Sequence, residues 1–375
     1  MRLILVPVLL MLFIGTALSN ADDLRSEANR IFNVIPHTPP AVRGNPVNPA
    51  KVELGKMLFF DTRLSASRRL SCNSCHNVGA GGADNVSKSV GHGGQEGRRN
   101  APTVFNSVFN IALFWDGRAS TLRDQAKIPI QAAIEMNNTP EDVVATVSSM
   151  PGYVDMFTKA FPDEENPVTF DNVAKALEVF QATLITPDSA FDRFLQGDDD
   201  AMDPKQLRGL RKFIGHGCIA CHRGINVGGR AFLPFGFLST PEANVRPVDD
   251  HGRMEVTGRL LDDYVFRVAP LRNVARTAPY FHSGVVWDLH EVVRIMAKSQ
   301  LNATLSDEDV DDIVAFLGSL TGRQPLVTYP TLPTRTVETP RLVIRSGSYR
   351  YDGRRRPARP HERDEVAGAA GLPGP

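Results

Sequence analysis

Apolar positions recur at helical spacing along most of the chain, and alternation of the strand type is scarce. In TFDNVAKALEVFQATLIT, Phe170, Val173, Leu177 and Phe180 fall on one helix face, behind a Thr169/Asp171 start signal. PEDVVATVSSMPGYVDMFTKAF begins with a proline at a helix start and breaks at Pro151-Gly152. PKQLRGLRKFIGHGC, LHEVVRIMAKSQ and LSDEDVDDIVAFLGSLTG predict three further helices. In the last, Ser306 with Asp309 three residues on is an acidic form of the capping box. Residues 22–50, rich in Pro and Asn, read as an extended lead-in, and the text from Val52 to about Ile185 as mainly helical. TPDSAFDRFLQGDDDAMDP reads as a boundary, with a charged run before the next helix. The fold class that follows is mainly α.

A chain of 375 residues has room for two domains. Its 42 basic and 42 acidic residues cancel, which argues against a nucleic-acid partner. The start, MRLILVPVLLMLFIGTALSNADD, has Arg2, an apolar run from Leu3 to Leu18 and small-x-small sites ending at Ser19 and Ala21. This is the pattern of a signal peptide over residues 1–21, with an apolar run shorter than the roughly 20 residues of a membrane span. No later stretch is apolar enough to cross a membrane. The mature protein is therefore expected to be exported and periplasmic. From about Thr336 the chain turns rich in Arg, Pro and Gly, and residues 336–375 are expected to form a disordered tail.

All four cysteines lie in two motifs: Cys72 and Cys75 in CNSCH, and Cys218 and Cys221 in CIACH, each followed by a histidine, His76 or His222. Two residues between the cysteines match the vinyl positions of haem, so both sulfurs can form thioethers and the adjacent His can coordinate the iron. A redox dithiol would want a βαβ context, and structural zinc would want four ligands gathered together. Two covalent haems c are the expectation. Both halves then share one order: a helix, the motif, a long Gly-rich loop and further helices, which reads as duplication of a haem domain.

The distal side decides between electron transfer and catalysis. A Met is expected to close the second haem, and spacing leaves Met254 and Met296 both open. His92 sits in VGHGGQEG, among glycines that let a loop move, and reads as a releasable ligand of the first haem. FWDGRASTLRDQAKIPIQAAIEMNN adds Trp115, Gln125 and Glu135. A carboxylate can shift the proton of a bound peroxide between its oxygens, and an amide can orient it.

From about Asn48 to Pro333 the chain resembles the bacterial dihaem cytochrome c peroxidases. The resemblance lies in LGKMLFFDTRLS, CNSCHNVGAGG, GHGG, RRNAPTVFNSVFN, FWDGR, EMNN, CIACHRG, APLRNVARTAPYFHSG and VVRIM. It implies two cytochrome c-like haem domains in tandem, joined by long loops. These would be a peroxidatic domain over 22–186 and an electron-transfer domain over 187–323, with 324–335 packing back on the first. It implies His76 as proximal and His92 as displaceable distal ligand of the peroxidatic haem, with Glu135 as acid/base and Gln125 beside it. Trp115 would lie between the haems, and His222 with Met296 would ligate the high-potential haem. A calcium between the domains would take the Asn100 side chain and the carbonyls of Thr277 and Pro279. The implied reaction is reduction of hydrogen peroxide to water, with a small cytochrome c or blue-copper protein as donor, in a homodimer. Relatives that oxidise a protein substrate would want Tyr in place of the Met ligand, and a plain electron carrier would keep both haems closed. The chain departs from the family at Gly94, where an aromatic residue is common, and in its Arg-rich tail.

Overall fold

The first core forms around helix α2 (Pro49–Phe60). The computed structural model of the protein describes residues 22–341, so the signal-peptide segment 1–21 and everything after Arg341 lie outside the described residues. Preceding α2 is α1 (residues 22–31). The elements after α2 are α3 (Cys72–Cys75), α4 (Leu122–Gln131), α5 (Pro140–Ser148), α6 (Pro151–Ala160) and α7 (Phe170–Ala182). There follow α8 (Ala190–Leu195), α9 (Pro204–Gly215), α10 (Met254–Thr257), α11 (Leu289–Leu301) and α12 (Asp307–Ser319). Among the described residues a single short antiparallel strand pair, β1 (Phe232–Pro234) with β2 (Val265–Arg267), sets Leu233 opposite Phe266.

Local chemistry sets the helix starts. The side chains of Asn48, Thr121, Thr139, Thr169, Asp203 and Ser306 each accept a backbone N–H of the first turn of the helix they precede. Pro49, Pro140, Pro151 and Pro204 occupy the first turn, where no N–H is needed. Apolar faces then gather into two cores. Leu54, Leu58, Phe59, Val147, Tyr153, Phe157 and Leu177 are central to the first. Phe191, Phe194, Leu210, Phe213, Phe316 and Leu317 are central to the second.

Each core uses the same close crossing. A Cβ on Gly55 of α2 would stand 2.0 Å from the Ala176 carbonyl oxygen of α7, and one on Gly209 of α9 would stand 1.8 Å from that of Asp312 in α12. The helix ahead of each Cys-x-x-Cys-His motif thus lies backbone to backbone against the last helix of its core.

Several expectations need correction. The lead-in is extended only in part: residues 22–31 are helical, and Leu24, Ala28 and Phe32 pack into the second core, across the boundary drawn at 186. An apolar repeat with four-residue spacing carries that helix in spite of its polar surroundings. The boundary stretch 186–204 itself holds a helix: Ser189 and Asp192 cap α8 reciprocally, and its Phe191 and Phe194 are buried. Residues 76–121 hold no α-helix, only 3₁₀ turns, bends and two isolated bridges, Val90 with Glu96 and Leu113 with Ala119. The tail begins later than Thr336: the Thr336 hydroxyl donates to the Ser149 carbonyl at 2.9 Å, and Thr339 is buried.

The segment after α12 runs over the first core. Arg63 donates to the Pro333 carbonyl at 2.8 Å, the Tyr329 ring packs on Phe60 at 4.6 Å, and Asn73 of CNSCH donates to the Tyr329 hydroxyl at 3.1 Å.

The glycine crossings give a direct test. Gly209→Ala gains helix propensity but forces α9 off α12, so a net loss of about 1–3 kcal/mol is expected. A lowered denaturant midpoint would show it, and an unchanged midpoint would mean the crossing tolerates a methyl group.

Candidate active site

The two motifs end in the same local geometry. In the first, Ser71 and Ser74 form a reciprocal cap on the one-turn helix α3, and the His76 N–H donates back to the Cys72 carbonyl at 2.9 Å. In the second, the His222 N–H reaches the Cys218 carbonyl at 3.0 Å. The His76 Nδ1 lies 3.1 Å from the Pro102 carbonyl and the His222 Nδ1 3.4 Å from that of Val227. A carbonyl can only accept, so each Nδ1 donates and each Nε2 keeps its lone pair for a metal. Burial lowers the pKa of His76 and brings His222 down to about 4, so both rings are neutral, as ligands must be.

The thiols are not those of a redox dithiol. Burial pushes Cys72 up to about 12, Cys75 and Cys218 up to about 11, and raises Cys221. A reactive Cys-x-x-Cys pair is shifted the other way. Among the described residues no group of three or more His, Cys, Asp or Glu side chains is arranged for a metal ion, which leaves structural zinc without a ligand set. Each motif instead opens on a cavity. The first, about 390 Å³, is lined by Cys75 and His76. The second, about 230 Å³, is lined by Cys218, Cys221 and His222. Paired thiols, a neutral His with its free nitrogen and a cavity at each motif fit a covalently attached haem.

The cavities differ in chemistry. Gln125, from α4, and Glu135, from the turn after it, line the first cavity together with Arg118. Burial raises the Glu135 pKa, with the Arg118 charge pulling against it. His92 is held close by: its N–H donates to the Glu135 carbonyl at 2.7 Å, and a Cβ on Gly91 would meet the Ile134 carbonyl oxygen at 2.0 Å. The His92 ring is not part of the cavity lining, and its Nδ1 is buried without a hydrogen-bond partner. Met296, on α11, lines the second cavity among Phe235, Phe266 and Leu289. Met254 does not; its neighbours Glu255 and Val256 line the first.

One wall serves both cavities. Asn100 to Thr103, Trp115 and Arg267 line each of them. The Trp115 Nε1–H donates to the Asn100 carbonyl at 2.9 Å, and the Asn100 N–H donates to the His282 carbonyl at 2.8 Å. Asn100, Thr277 and Pro279 thus share the second cavity's lining. Arg99 is clamped between Asp116 and Asp250, 2.5 Å from each. His282 stacks on Phe266 at 4.2 Å, and burial, with Asp250 opposing, brings it down to about 4. Sequence reasoning assigned no role to Arg99, Arg118, Arg267 or His282. Arg118 of FWDGR pairs with Asp116 two positions before it, whereas nothing local joins Arg99 to Asp250 or Arg98 to Glu255 far along the chain.

Fold and cavities together define a two-centre protein of the c-type haem class. The chain is 57% identical over 332 residues to the cytochrome c551 peroxidase of Pseudomonas aeruginosa, across 88% of this chain and 96% of that one. It is 46% identical to the cytochrome c551 peroxidase of Nitrosomonas europaea, across 79% and 87%. A crystal structure of a MauG-like protein associated with microbial copper homeostasis superposes with a TM-score of 0.68 at 30% identity, across 76% of this chain and 93% of that one. The family model described as di-haem cytochrome c peroxidase matches residues 49–200. This chain belongs to the di-haem cytochrome c peroxidase family.

The placement of the two methionines predicts a spectroscopic difference. Met296→Leu should abolish the thioether-to-iron charge-transfer absorption of the second haem, and Met254→Leu should leave it intact. The reverse pattern would assign the ligand to Met254.

Proposed function

We propose that the chain reduces hydrogen peroxide to water at the first cavity, with electrons that enter at the second. The observation that carries this reading is the inequality of two cavities on one wall: carboxyls, Glu135 among them, at the first and none at the second, where a thioether stands instead. Cys72 and Cys75 attach one haem and Cys218 and Cys221 the other, with His76 and His222 as proximal ligands and Met296 closing the second. Bound haem iron supplies the one-electron redox chemistry and the place where peroxide is reduced.

The chain's own groups do the rest. Glu135 takes a proton from incoming peroxide and returns it to the departing oxygen, while the Gln125 amide orients the molecule. Peroxide takes up two electrons and two protons and leaves as two waters. Trp115, common to both cavities, lies on the electron path. His92 is a releasable ligand of the first haem. Support for its mobility comes from Gly93 and Gly94, at φ +67° and +80°, neither of which has packing atoms pressed against it. Gly91, by contrast, is wedged against residue 134 and would be the fixed end of the loop.

The Asn100 side chain and the Thr277 and Pro279 carbonyls would hold a calcium, a hard cation suited to oxygen ligands. The donor is a small reduced cytochrome c or blue-copper protein, and the setting is the periplasm. Among the described residues no helix is long and apolar enough to cross a membrane. The working unit is a homodimer.

Steady-state peroxide reduction with a reduced small cytochrome, run with and without prior one-electron reduction, tests the reading. Glu135→Gln should slow turnover by about 10²–10⁴-fold with both haems retained, and unchanged turnover there would sink the proposal. His92→Ala should be fast without prior reduction. If wild type and His92→Ala respond alike to pre-reduction, His92 is not the releasable ligand.

A further inference from the structure

Three arginines among the described residues are buried outright: Arg63, Arg267 and Arg272. Two have carboxylate partners. Arg63 pairs with Asp61 and Arg272 with Asp192, each at 2.7 Å. Arg267 has none. It is 3% exposed, its Nε reaches only the Phe114 carbonyl at 3.3 Å, and its Nη1 is buried without any hydrogen-bond partner. Burial alone acts on its charge, lowering the pKa to about 10, which still leaves a cation at neutral pH.

A buried guanidinium with no carboxylate partner is strongly unfavourable, because the protein gives back little of the hydration it removes. Local strand preference does not explain it either. β2 is three residues long, and Val265 and Phe266 beside Arg267 are the apolar residues such a buried strand wants. The side chain lines both cavities at once, on the wall they share. The missing anion therefore comes from what fills those cavities. A guanidinium is a planar fork that takes a carboxylate through two parallel hydrogen bonds, and each haem carries two propionate carboxylates.

We propose that Arg267 receives a haem propionate at the boundary of the two cavities, positioning that haem and raising its reduction potential. The inference rests on the two-haem reading above. A fixed positive charge beside a propionate offsets its negative charge and favours the reduced iron, which has one positive charge fewer than the oxidised form. The residue would thus help set the difference in potential that drives electrons across the wall. A propionate from either haem satisfies the chemistry, and the haem whose potential responds identifies the source.

The test uses the holoprotein with Arg267→Lys, Arg267→Gln and Arg267→Leu. Covalent haem content is measured first, then the midpoint potential of each haem by spectroelectrochemical titration. Gln and Leu should lower the potential of one haem by about tenfold in its reduction equilibrium, about 59 mV for one electron, while Lys stays near wild type. Loss of a haem from the Gln and Leu variants, with retention in Lys, also supports a charge role. The proposal is overturned if both potentials are unchanged in Gln and Leu, if Lys falls as far as they do, or if all three variants lose haem alike. Failure of the peroxidase reading would show separately, as wild type with two haems and no peroxide turnover.

Discussion

The guanidinium of Arg99, held between the carboxylates of Asp116 and Asp250, is the contact on which the site's geometry depends. Asp116 belongs to the loop that carries Trp115, and Asp250 to the loop that approaches from the second half of the chain. Asn100, next to Arg99, takes the Trp115 indole and bonds the His282 carbonyl. One low-exposure cation therefore fixes both edges of the wall between the cavities. Removing one partner of such a buried cluster leaves an uncompensated charge, which is far more damaging than never having built it.

Around that wall the halves are alike in construction and unlike in chemistry. Each has a glycine-mediated crossing between the helix before its motif and the last helix of its core. Each ends its motif in a histidine whose Nδ1 is committed to a backbone carbonyl. The surroundings then diverge. Carboxyls attend the first cavity and none the second, where aromatic and aliphatic side chains and a thioether predominate beside the shared Arg267. A polar pocket can move protons, and a dry one holds a redox centre in a fixed environment. The loop of His92 is tied by its backbone to Glu135.

The two interior arginines nearest the wall make an instructive contrast. Arg99 is satisfied by the protein alone. Arg267 is not: it lines both cavities, and its Nη1 has no hydrogen-bond partner. A polypeptide that has to bind a dianionic cofactor can leave a cation unpaired in advance, so the folded chain is completed by the cofactor and not merely occupied by it. The same logic applies to the four thiols, whose raised pKa values keep them protonated and inert where no thioether is formed.

What the sequence determined by itself was everything set within a few residues. The Cys-x-x-Cys-His spacing places two sulfurs and an imidazole on one turn. Thr169, Asp203 and Ser306 mark helix starts, because a cap is a contact over two or three positions. Tertiary structure alone decided the contacts between distant positions. It placed Met296 and not Met254 at the second cavity. It packed α1 on the second core although the chain enters it ahead of the first. It also paired Arg99 with Asp250, 151 positions away, and left Arg267 without a partner. Periodicity and caps report only on near neighbours. Which arginine meets a carboxylate, and which is left for a ligand, follows from how two cores dock, and that relation is not carried by any short stretch of the chain.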